Sequence, residues 1–513
     1  MIAILAVMVV LNQDCSEFQA KFPAEKMTVE GAREYFDRMN MGGNTHLFIN
    51  PQAHNAAYPT KAGNAVWEPD PRVGLPTRGW RGDRFVDFKE PPPFIVNSKL
   101  LAERGVDYVR VWIDRARERG ISPWLSMRMN DAHDLFNPSS FSVSTFWLDH
   151  PECRIVPGSD GWRDGKPTWW DAAYDYAHPE VRGHMLAIAR EMLEKWDVDG
   201  IECDWMRFTH HVSKAEELAH TGHRHLTAFM RDFRKLADEV GSKRGRRIRV
   251  AARVAPRPDE AFGFGCDAEA WAREGLVDVV IASEFLFQSD FSLPCLKWKQ
   301  ILARANPQVK FLVGIDSTGI TRDGVHCGLT RPELCAYFER MYEEGADGAY
   351  FFNYFLCNPN DPASRLVHVE GIRDAVKLRA EARTYPVTCN PCVPAGRSCE
   401  FPFPAKLDRR WERHILLGRK GHPSSVRLRL LVDGVIADAD HDRVRLNGAA
   451  PTSVAKVKNA PKTKEGRQTY EFDYPVDALF DWDNYVRIDP FRDAVTLLGV
   501  DLMLGRANER GHD

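Results

Sequence analysis

The sequence lacks any concentration of charge of one sign. Its 69 lysines and arginines and 72 aspartates and glutamates leave a formal net charge of −3 over 513 residues, and no basic arm is present. A protein whose main partner is nucleic acid needs a concentrated basic face, so this composition argues against a nucleic-acid partner. With 44% hydrophobic and 27% charged residues, the composition predicts an ordinary soluble globular chain that is too long for one domain.

A regular set of cysteines is also missing. Eleven cysteines are an odd number scattered along the chain, which favours free thiols in a reducing compartment over a disulfide framework. Cys389, Cys392 and Cys399 form the single cluster. The first two have the spacing of half a zinc site, but no second pair follows at ribbon-like spacing. Surface thiols or a local disulfide are the alternatives, and we predict no metal and no cofactor.

A secretion signal and a membrane span are not evident. The apolar run at residues 1–11 has no positive leading segment and no small-residue cleavage site, and it is too short to cross a bilayer as a helix. We interpret it as a buried strand with Asn12 and Asp14 at its end. Together with the odd cysteine count, these features favour a cytoplasmic protein over a secreted one. We also predict no membrane partner. Nothing in the sequence indicates an oligomeric state.

Strand-like and helix-like segments alternate along the first three quarters of the chain, which is typical of parallel βα units. The predicted strands are residues 4–11, 45–50, 123–130, 200–206, 248–254, 277–283, 309–315 and 348–354. The clearest helix covers residues 179–195, with proline in its first turn and a stripe of Val181, Met185, Ile188 and Met192. Eight such units predict an α/β fold, a closed (β/α)8 TIM barrel at residues 1–382.

The fourth predicted strand carries the central functional prediction. Because side chains alternate across a strand, Glu202 and Asp204 share one face with Gly200, while Ile201 and Cys203 share the other. Two carboxylates on an inner barrel face repel each other, which a purely structural strand has no reason to tolerate. We therefore predict that Asp204 is a catalytic carboxylate. The alternative is that the acidic strand end caps the next helix or pairs with Arg207.

Nearly every predicted strand ends in a polar group, at the end of a barrel where loops carry chemistry. Solvated turns would be dominated by Ser, Gly and Asn, whereas Arg, Asp, Glu and His in a ring suggest a polyhydroxylated ligand. The candidate residues are Asn50, Gln52, His54, Arg128, Asn130, Asp131, His133, Arg253, Glu284, Asp316, Asn353 and Tyr354.

The connection between the third and fourth strands is unusually long and rich in aromatic residues. Long connections inside compact domains are commonly functional. Flat rings beside carboxylates suit a sugar cleft, because the C–H faces of pyranoses pack on them, and Trp170 is the candidate we select for substrate binding. The alternative is a satellite aromatic core that holds the connection in place. The rings are Trp147, Trp162, Trp169, Trp170, Tyr174 and Tyr176.

Four segments carry a resemblance to a known family. They are Asn50/Gln52 with Tyr58-Pro59-Thr60-Lys61, then residues 126–131 (SMRMND), 199–204 (DGIECD) and 270–278 (AWAREGLVD). Over about residues 1–380 the chain resembles the glycoside hydrolase-like family 10 group of (β/α)8 proteins. The resemblance implies a carbohydrate substrate and does not supply a catalytic pair.

The fourth strand also resembles the nucleophile position of retaining α-glycosidases such as the α-galactosidase clan. Carried over, this makes Asp204 the nucleophile and Glu284 on the sixth strand the acid/base, although that clan has Asp at the sixth strand. The function so implied is hydrolysis of a poly- or oligosaccharide by a retaining, two-carboxylate mechanism. Arg128, Arg207 or Arg253 would keep Asp204 charged, and Phe285 and Phe287 could raise the pKa of Glu284 by desolvation.

Other assignments remain open. Glu202 competes for a catalytic role, although hydrogen bonding to substrate or to an arginine is expected of it. Asp131 and Asp316 are further candidates, His133 and Asn130 are expected to orient the sugar, and Arg207 is a candidate for substrate binding.

Two other classes are disfavoured. A metal-dependent barrel hydrolase would need a His-x-His pair that His46, His54 and His133 do not supply. The dinucleotide-like run at residues 263–268 follows a loop rather than a strand. The stronger rival is a non-catalytic barrel that binds carbohydrate.

The character of the sequence changes after about residue 380. Residues 383–404 are rich in proline and cysteine and are predicted to be a linker. Residues 405–513 contain short alternating strand-like runs, which predict a C-terminal β-sandwich. The runs are residues 426–432, 442–446, 469–474, 484–488 and 495–498. Such a domain binds glycan or braces the barrel, and the runs, without an exposed aromatic stripe, favour bracing.

Overall fold

The structure is a computed structural model that describes residues 7–507, apart from 15, 41–42, 74–77, 82–83, 88–89, 138–139, 141–142, 165, 287, 317–318, 324, 355–368, 370, 400 and 458–463. Residues 4–6 of the first predicted strand, and Phe287, therefore lie outside the described residues.

Eight parallel strands close into a barrel, which confirms the predicted fold class. The first strand pairs with both the second and the eighth, so the sheet closes on itself. Each observed strand overlaps its prediction, and the ends differ by a few residues. The strands are β1 (Met8–Asp14), β2 (His46–Asn50), β3 (Ser122–Arg128), β4 (Gly200–Asp204), β5 (Arg249–Val254), β6 (Val279–Ala282), β7 (Lys310–Asp316) and β8 (Gly348–Phe352).

A helix follows each barrel strand. These helices are α1 (Val29–Met39), α2 (Tyr108–Glu118), α3 (Pro179–Lys195), α4 (His223–Lys243), α5 (Ala268–Arg273), α6 (Cys295–Ala305), α7 (Arg331–Glu343) and α8 (Ala375–Ala380). The predicted helix at residues 179–195 is confirmed as α3, and all four residues of its predicted apolar stripe are buried. Within the described residues, no helix combines the length and apolar character that a membrane crossing needs.

Smaller elements fill the connections. Further helices in the connections are Ser16–Lys21, Pro93–Glu103, Thr145–Asp149, Trp169–Ala172, Lys214–Leu218 and Pro258–Gly263. Three two-stranded hairpins pair Arg78–Arg81 with Arg84–Asp87, Trp162–Arg163 with Lys166–Pro167, and Ile320–Arg322 with Val325–Cys327.

The barrel interior is filled by alternate residues of each strand. One apolar cluster inside the barrel includes Val10, Phe48, Trp124, Val279 and Ile281, whereas Ile201 and Cys203 belong to the large cluster that also contains the helix residues. Gly200 faces inward, because a Cβ atom there would lie 2.4 Å from the Trp124 ring. The predicted alternation in β4 is thereby confirmed, and Glu202 and Asp204 point into the barrel.

The C-terminal part forms two antiparallel sheets. Its strands are β9 (Arg383–Pro386), β10 (Ala405–Lys406), β11 (Trp411–Leu416), β12 (Val426–Asp433), β13 (Val444–Leu446), β14 (Ser453–Val457), β15 (Gln468–Tyr474), β16 (Asp483–Ile488) and β17 (Thr496–Leu504). One sheet has the order β9-β17-β12-β15-β14, with β10 also on β17, and the other has the order β11-β16-β13. Strand β9 lies within the segment predicted as a linker. The two sheets agree with the predicted sandwich.

Candidate active site

The C-terminal ends of the barrel strands bring together a dense set of charged side chains. The inward-facing positions at the C-terminal ends of the strands are Asp14, Asn50, Arg128, Asp204, Arg253, Asp316 and Phe352, together with Ser283, which lies one residue beyond β6. We call this group the mouth. Most members carry polar or charged groups although the group as a whole is buried. Such a concentration is what a binding or catalytic site needs and what a packed core avoids.

Asp204 is enclosed and ion-paired. Its side chain is 1% exposed, and both carboxylate oxygens lie 3.0 Å from Nη1 of Arg253, the residue opposite it in the register of β4 and β5. The Met206 N–H donates a further hydrogen bond to Oδ1 at 3.0 Å. The charge of the proposed nucleophile is therefore matched by one arginine. The alternative prediction was an ion pair between Asp204 and Arg207, whereas the structure pairs Asp204 with Arg253.

Arg253 connects Asp204 to the end of β6. Its Nη2 donates to the backbone carbonyl oxygen of Glu284, and its guanidinium carbon lies 3.6 Å from the centre of the Phe352 ring. The side chain is fully buried. A guanidinium fixed by a carboxylate, a carbonyl and an aromatic face is a rigid part of the site.

Glu284 lies next to this group, but its carboxylate faces the other way. Val279 and Ile281 point into the barrel and Val280 and Ala282 point out, so Glu284 continues the outward set. Its Oε1 accepts a hydrogen bond from the Asp290 N–H in the loop after β6. Burial and the nearby Asp290 carboxylate raise its pKa well above the ordinary value. The structure thus brings the Glu284 backbone to the mouth and holds its carboxyl group in the layer behind.

Glu202 lies one inward position below Asp204. The Ser126 hydroxyl donates to its Oε2 at 2.5 Å, and the Asn12 amide donates at 3.3 Å. Burial, with the charge of Asp204, raises the pKa of Glu202 to about 8. At neutral pH this carboxyl group therefore keeps its proton, unlike an exposed glutamic acid.

A second charged network spans the opposite side of the mouth. Arg128 pairs with Asp14 and, at 3.0 Å, with Asp131. Asp131 Oδ1 lies 2.5 Å from His133 Nδ1, and Arg207 Nη2 lies 3.0 Å from His133 Nε2. Arg207 Nη2 also lies 3.4 Å from His133 Nδ1, so the guanidinium group contacts both ring nitrogens of His133. Burial opposes ionisation of Asp131, but His133 and the arginines outweigh it and hold its pKa well below the ordinary value.

Some predicted binding residues use their side-chain amides to hold the backbone around the site. The Asn130 amide donates to the carbonyl oxygens of Tyr174 and His210 at 2.8 and 2.9 Å, so it fixes two loops instead of facing a ligand. Asn50 donates to the carbonyl oxygens of Gln52 and Ser126. Both Asn50 and Gln52 are buried.

The three remaining predicted residues, Asn353, Tyr354 and Asp316, lie in different surroundings. Arg128 Nη2 lies 3.5 Å from the Asn353 side-chain oxygen, so Asn353 contacts a residue of the mouth. The Tyr354 ring is buried and contacts Phe351, a residue of the outer cluster. Tyr354 therefore packs in the core. Asp316 is buried at the end of β7.

The aromatic residues of the long β3–β4 connection separate into two groups. Trp147, Tyr174 and Tyr176 are buried, so the alternative of a satellite core describes them. Trp170 is half-buried and packs against Phe208, His210 and Phe285 with ring centres 4.8 to 5.1 Å apart. Because Phe285 follows Glu284 directly, Trp170 lies beside the mouth, as a ring that contacts a ligand must.

Ligand sets for a metal ion occur away from the mouth among the described residues. His150, Glu152 and Cys153 form one such group, and Cys153, His178 and Glu180 form another. Burial raises the pKa of Cys153 to about 11, so its thiol holds its proton and is a poor ligand. Cys389, Cys392 and Cys399 are free thiols.

Sequence reasoning missed three residues that shape the site. Ser126 and Phe352 occupy inward positions of β3 and β8, and the same alternation that selected Glu202 could have found both. Asp290 raises the pKa of Glu284 from a loop, and no pattern in the sequence pointed to it.

No protein-family model and no curated protein matches this chain, so the resemblance to glycoside hydrolase-like family 10 stays a prediction. The structure is similar to several solved structures. One is the glycoside hydrolase domain of PgaB (BpsB) from Bordetella bronchiseptica, which is 11% identical in sequence and has a TM-score of 0.44. The match covers 71% of this chain and 99% of that one. An α-amylase from Anoxybacillus is 12% identical, with a TM-score of 0.37, and the match covers 95% of this chain and 99% of the amylase. A putative α-L-fucosidase from Bacteroides thetaiotaomicron is 8% identical, with a TM-score of 0.35, and the match covers 98% of this chain and 96% of the fucosidase. At these values the similarities are no evidence of a shared activity.

Proposed function

We propose that this protein is a glycoside hydrolase that cleaves a poly- or oligosaccharide with Asp204 as nucleophile and Glu284 as acid/base. The observation that carries the proposal is the inward-facing Asp204 at the C-terminal end of β4, among the acids and arginines of the mouth. Active sites of (β/α)8 enzymes lie at this end of the barrel.

Glycosidic cleavage needs two carboxyl groups in different states. One must offset positive charge at the anomeric carbon, and the other must hold a proton for the departing oxygen. Arg253 compensates a negative charge on Asp204, which suits the first role. Burial raises the pKa of Glu284, which suits the second role.

The proposed reaction has two steps. An Asp204 oxygen attacks the anomeric carbon while the Glu284 proton moves to the leaving oxygen, which gives a glycosyl ester and a free alcohol. Glu284 then takes a proton from water, the water oxygen attacks the anomeric carbon, and the ester bond to Asp204 breaks. For this to happen, Asp204 must release one contact with Arg253, and the Glu284 carboxyl group must leave the Asp290 N–H and turn toward the mouth.

A specific observation favours a second candidate, a barrel that binds carbohydrate without cleaving it. Both oxygens of Asp204 contact one guanidinium group and the carboxylate is enclosed. A carboxylate in that state is a poorer nucleophile than a free one.

Turnover and binding by Asp204→Asn separate the two candidates. We expect wild-type protein to release reducing sugar from at least one member of a broad glycan panel. The variant should lose this activity on the order of 10⁴-fold while it still binds the same glycan. Asp199→Asn, at the residue just before the same strand and partly exposed, is the matched control and should keep full activity. Glycan binding by wild-type protein without any product across the panel would favour the second candidate.

The role of Glu284 is tested by the leaving group. Glu284→Gln should slow cleavage of poor leaving groups by about 10²- to 10⁴-fold and spare activated aryl glycosides, whose departure needs little protonation. Glu274→Gln, on the protein surface, is the control. Equal losses on both substrates would assign the proton donor elsewhere, and Glu202→Gln would be the next variant.

A further inference from the structure

A row of aromatic rings leads from the charged network of the mouth to the protein surface. His133, which contacts Asp131, has its ring centre 6.2 Å from that of Trp169. The rings of Trp169 and Phe136 are within 7° of parallel with centres 6.4 Å apart, and Phe136 lies 5.5 Å from Trp162. These separations are contact distances for aromatic pairs. We call Trp169, Phe136 and Trp162 the aromatic row.

Exposure of the rings rises along the aromatic row. Trp169 and Phe136 are half-buried, and Trp162 is 48% exposed. Trp169 packs against the large apolar cluster, whereas Trp162 belongs to none of the apolar clusters in the described part of the chain. A satellite core, which describes the buried Trp147 and Tyr174, therefore does not describe Trp162. A large exposed ring that continues a cleft is typical of a ligand contact.

The exposed ring is anchored in the fold. Trp162 lies on the first strand of a hairpin, and the Thr168 N–H donates to the Gly161 carbonyl oxygen at 2.6 Å, which closes the base of that hairpin. The next residue, Arg163, pairs with Asp171. The ring is thus held in place before any ligand binds, so less ordering entropy is lost on binding.

Successive rings match a chain of pyranoses, because each pyranose residue presents a C–H face and the chain repeats that face. The rings of Trp169 and Phe136 separate Trp162 from His133. A sugar residue held at His133 therefore does not reach Trp162, and a further residue of the same chain must do so. Pyranoses with equatorial hydroxyls have the flattest C–H faces, so the row favours chains of such residues.

We propose that the aromatic row is a distal subsite in which Trp162 binds a sugar residue other than the one that is cleaved. The substrate selected by this subsite is a chain of several pyranose residues rather than a disaccharide. This proposal rests on the proposed function for the carbohydrate and adds the chain length that the site recognises.

The dependence of binding on chain length tests the proposal directly. Dimers to hexamers of β-1,4-linked glucose, α-1,4-linked glucose and β-1,4-linked N-acetylglucosamine are titrated into the full-length protein by calorimetry. Asp204→Asn replaces wild type for any oligomer that wild type cleaves. In at least one series we expect the hexamer to bind at least about 10-fold more tightly than the dimer.

Trp162→Ala should remove this gain, a loss of about 10-fold in affinity for the hexamer, and should leave the dimer unchanged. Trp162→Phe keeps a ring and should retain part of the gain. Trp482→Ala is the matched control, because Trp482 is 43% exposed in the C-terminal part of the chain, and it should bind every oligomer as wild type does.

Thermal unfolding separates a binding role from a bracing one. Since the Trp162 ring is exposed, we expect Trp162→Ala to keep the unfolding temperature of the wild type, and a lowered temperature would mean that the ring braces the hairpin. Affinity independent of chain length, no binding of any oligomer, equal losses for dimer and hexamer in Trp162→Ala, or the same loss in Trp482→Ala would each overturn the proposal. A wild-type dimer that dissociates in Trp162→Ala would place a second copy of the chain on the ring and would also overturn it.

Failure of this proposal and failure of the proposed function give different results. Length-dependent binding that Trp162→Ala abolishes, without any product from wild type, would refute hydrolysis alone. Cleavage of dimers as fast as hexamers would refute the distal subsite alone.

Discussion

Glu202 and Asp204 lie two residues apart on one face of β4, yet their surroundings differ. Asp204 has an arginine on both oxygens, whereas Glu202 has a hydroxyl and an amide and no cation in direct contact among the described residues. Two adjacent buried carboxylates are tolerated when one keeps its proton. The arrangement gives the strand a single negative charge at neutral pH.

This difference predicts a pH dependence of stability. The folded protein holds a proton on Glu202 up to about pH 8, whereas the unfolded chain loses it near the ordinary value of 4.5. Folding therefore takes up a proton between these values, and Glu202 makes the protein less stable as the pH rises. Relative to wild type, Glu202→Gln should gain about 1 kcal/mol in free energy of unfolding per pH unit across this window. Urea unfolding at pH 5, 6, 7 and 8 measures the difference.

The same titrations with Glu274→Gln, an exposed glutamate paired with Arg231, serve as the control and should run parallel to wild type. Parallel curves for Glu202→Gln as well would show that Glu202 ionises normally.

At the residue scale, the sequence predicted which side chains reach the mouth better than what they contact there. Asp204, Arg128, Asp131, His133 and Arg253 are brought together as expected. The Asp204–Arg253 pair follows from the register of β4 and β5, which a sequence without structure does not supply. The direction of Glu284 depends on a single step of alternation after β6, and a strand end misjudged by one residue reverses it.

At the scale of elements, β4 contains a glycine because its neighbour in the interior is a tryptophan. A Cβ atom on Gly200 would lie 2.4 Å from the Trp124 ring, which is itself stacked on Phe48 with centres 4.8 Å apart. Gly200→Ala must therefore displace an interior ring, and we expect a loss of about 1–3 kcal/mol in free energy of unfolding. Chemical denaturation measures this loss.

Gly183 provides the matched substitution with the opposite sign. It lies exposed in α3, and no described atom outside its own helix turn and chain neighbours lies within 4 Å of the position that an added Cβ atom would take. Alanine is the better helix former, so Gly183→Ala should stabilise the protein by about 0.5–1 kcal/mol. Equal effects of the two substitutions would contradict the packing described for the barrel interior.

All eight barrel strands and α3 could be predicted because each has a strong local pattern. Strands β9, β10, β11 and β14 were missed. Strand β9 lies in a stretch rich in proline and cysteine, and it becomes a strand through pairing with the distant β17. Strand β14 is largely exposed and shows little apolar alternation. These strands form because they pair with segments that are distant in the sequence, and such pairing cannot be predicted from the local sequence.

At the scale of the whole molecule, one buried carboxylate joins the barrel to the C-terminal sheets. Glu339 of α7 is fully buried and accepts hydrogen bonds from Arg379 at 2.9 Å and from Arg383 of β9 at 3.5 Å. Arg383 also donates to the carbonyl oxygens of Arg419 and Lys420. These contacts support the predicted bracing role of the C-terminal domain.

Removal of this carboxylate should loosen the junction. Glu339→Ala leaves the buried Arg383 without its counter-charge, and we expect a loss of about 3–5 kcal/mol in free energy of unfolding. Calorimetry should then show the C-terminal sheets melting before the barrel. Glu194→Ala, half-exposed on α3, is the control. A single unshifted transition for Glu339→Ala would mean that the junction is held by apolar packing alone.

The most direct test of the central claim is to trap the covalent intermediate on the intact protein. A panel of 2-deoxy-2-fluoroglycosyl fluorides forms long-lived esters with the nucleophile of a retaining glycosidase, because the fluorine slows the second step more than the first. We predict one added sugar per chain, located by mass spectrometry of a protease digest on the peptide that contains Asp204, and no adduct in Asp204→Asn. An adduct on another carboxylate, or hydrolysis that persists in Asp204→Asn, would contradict the account.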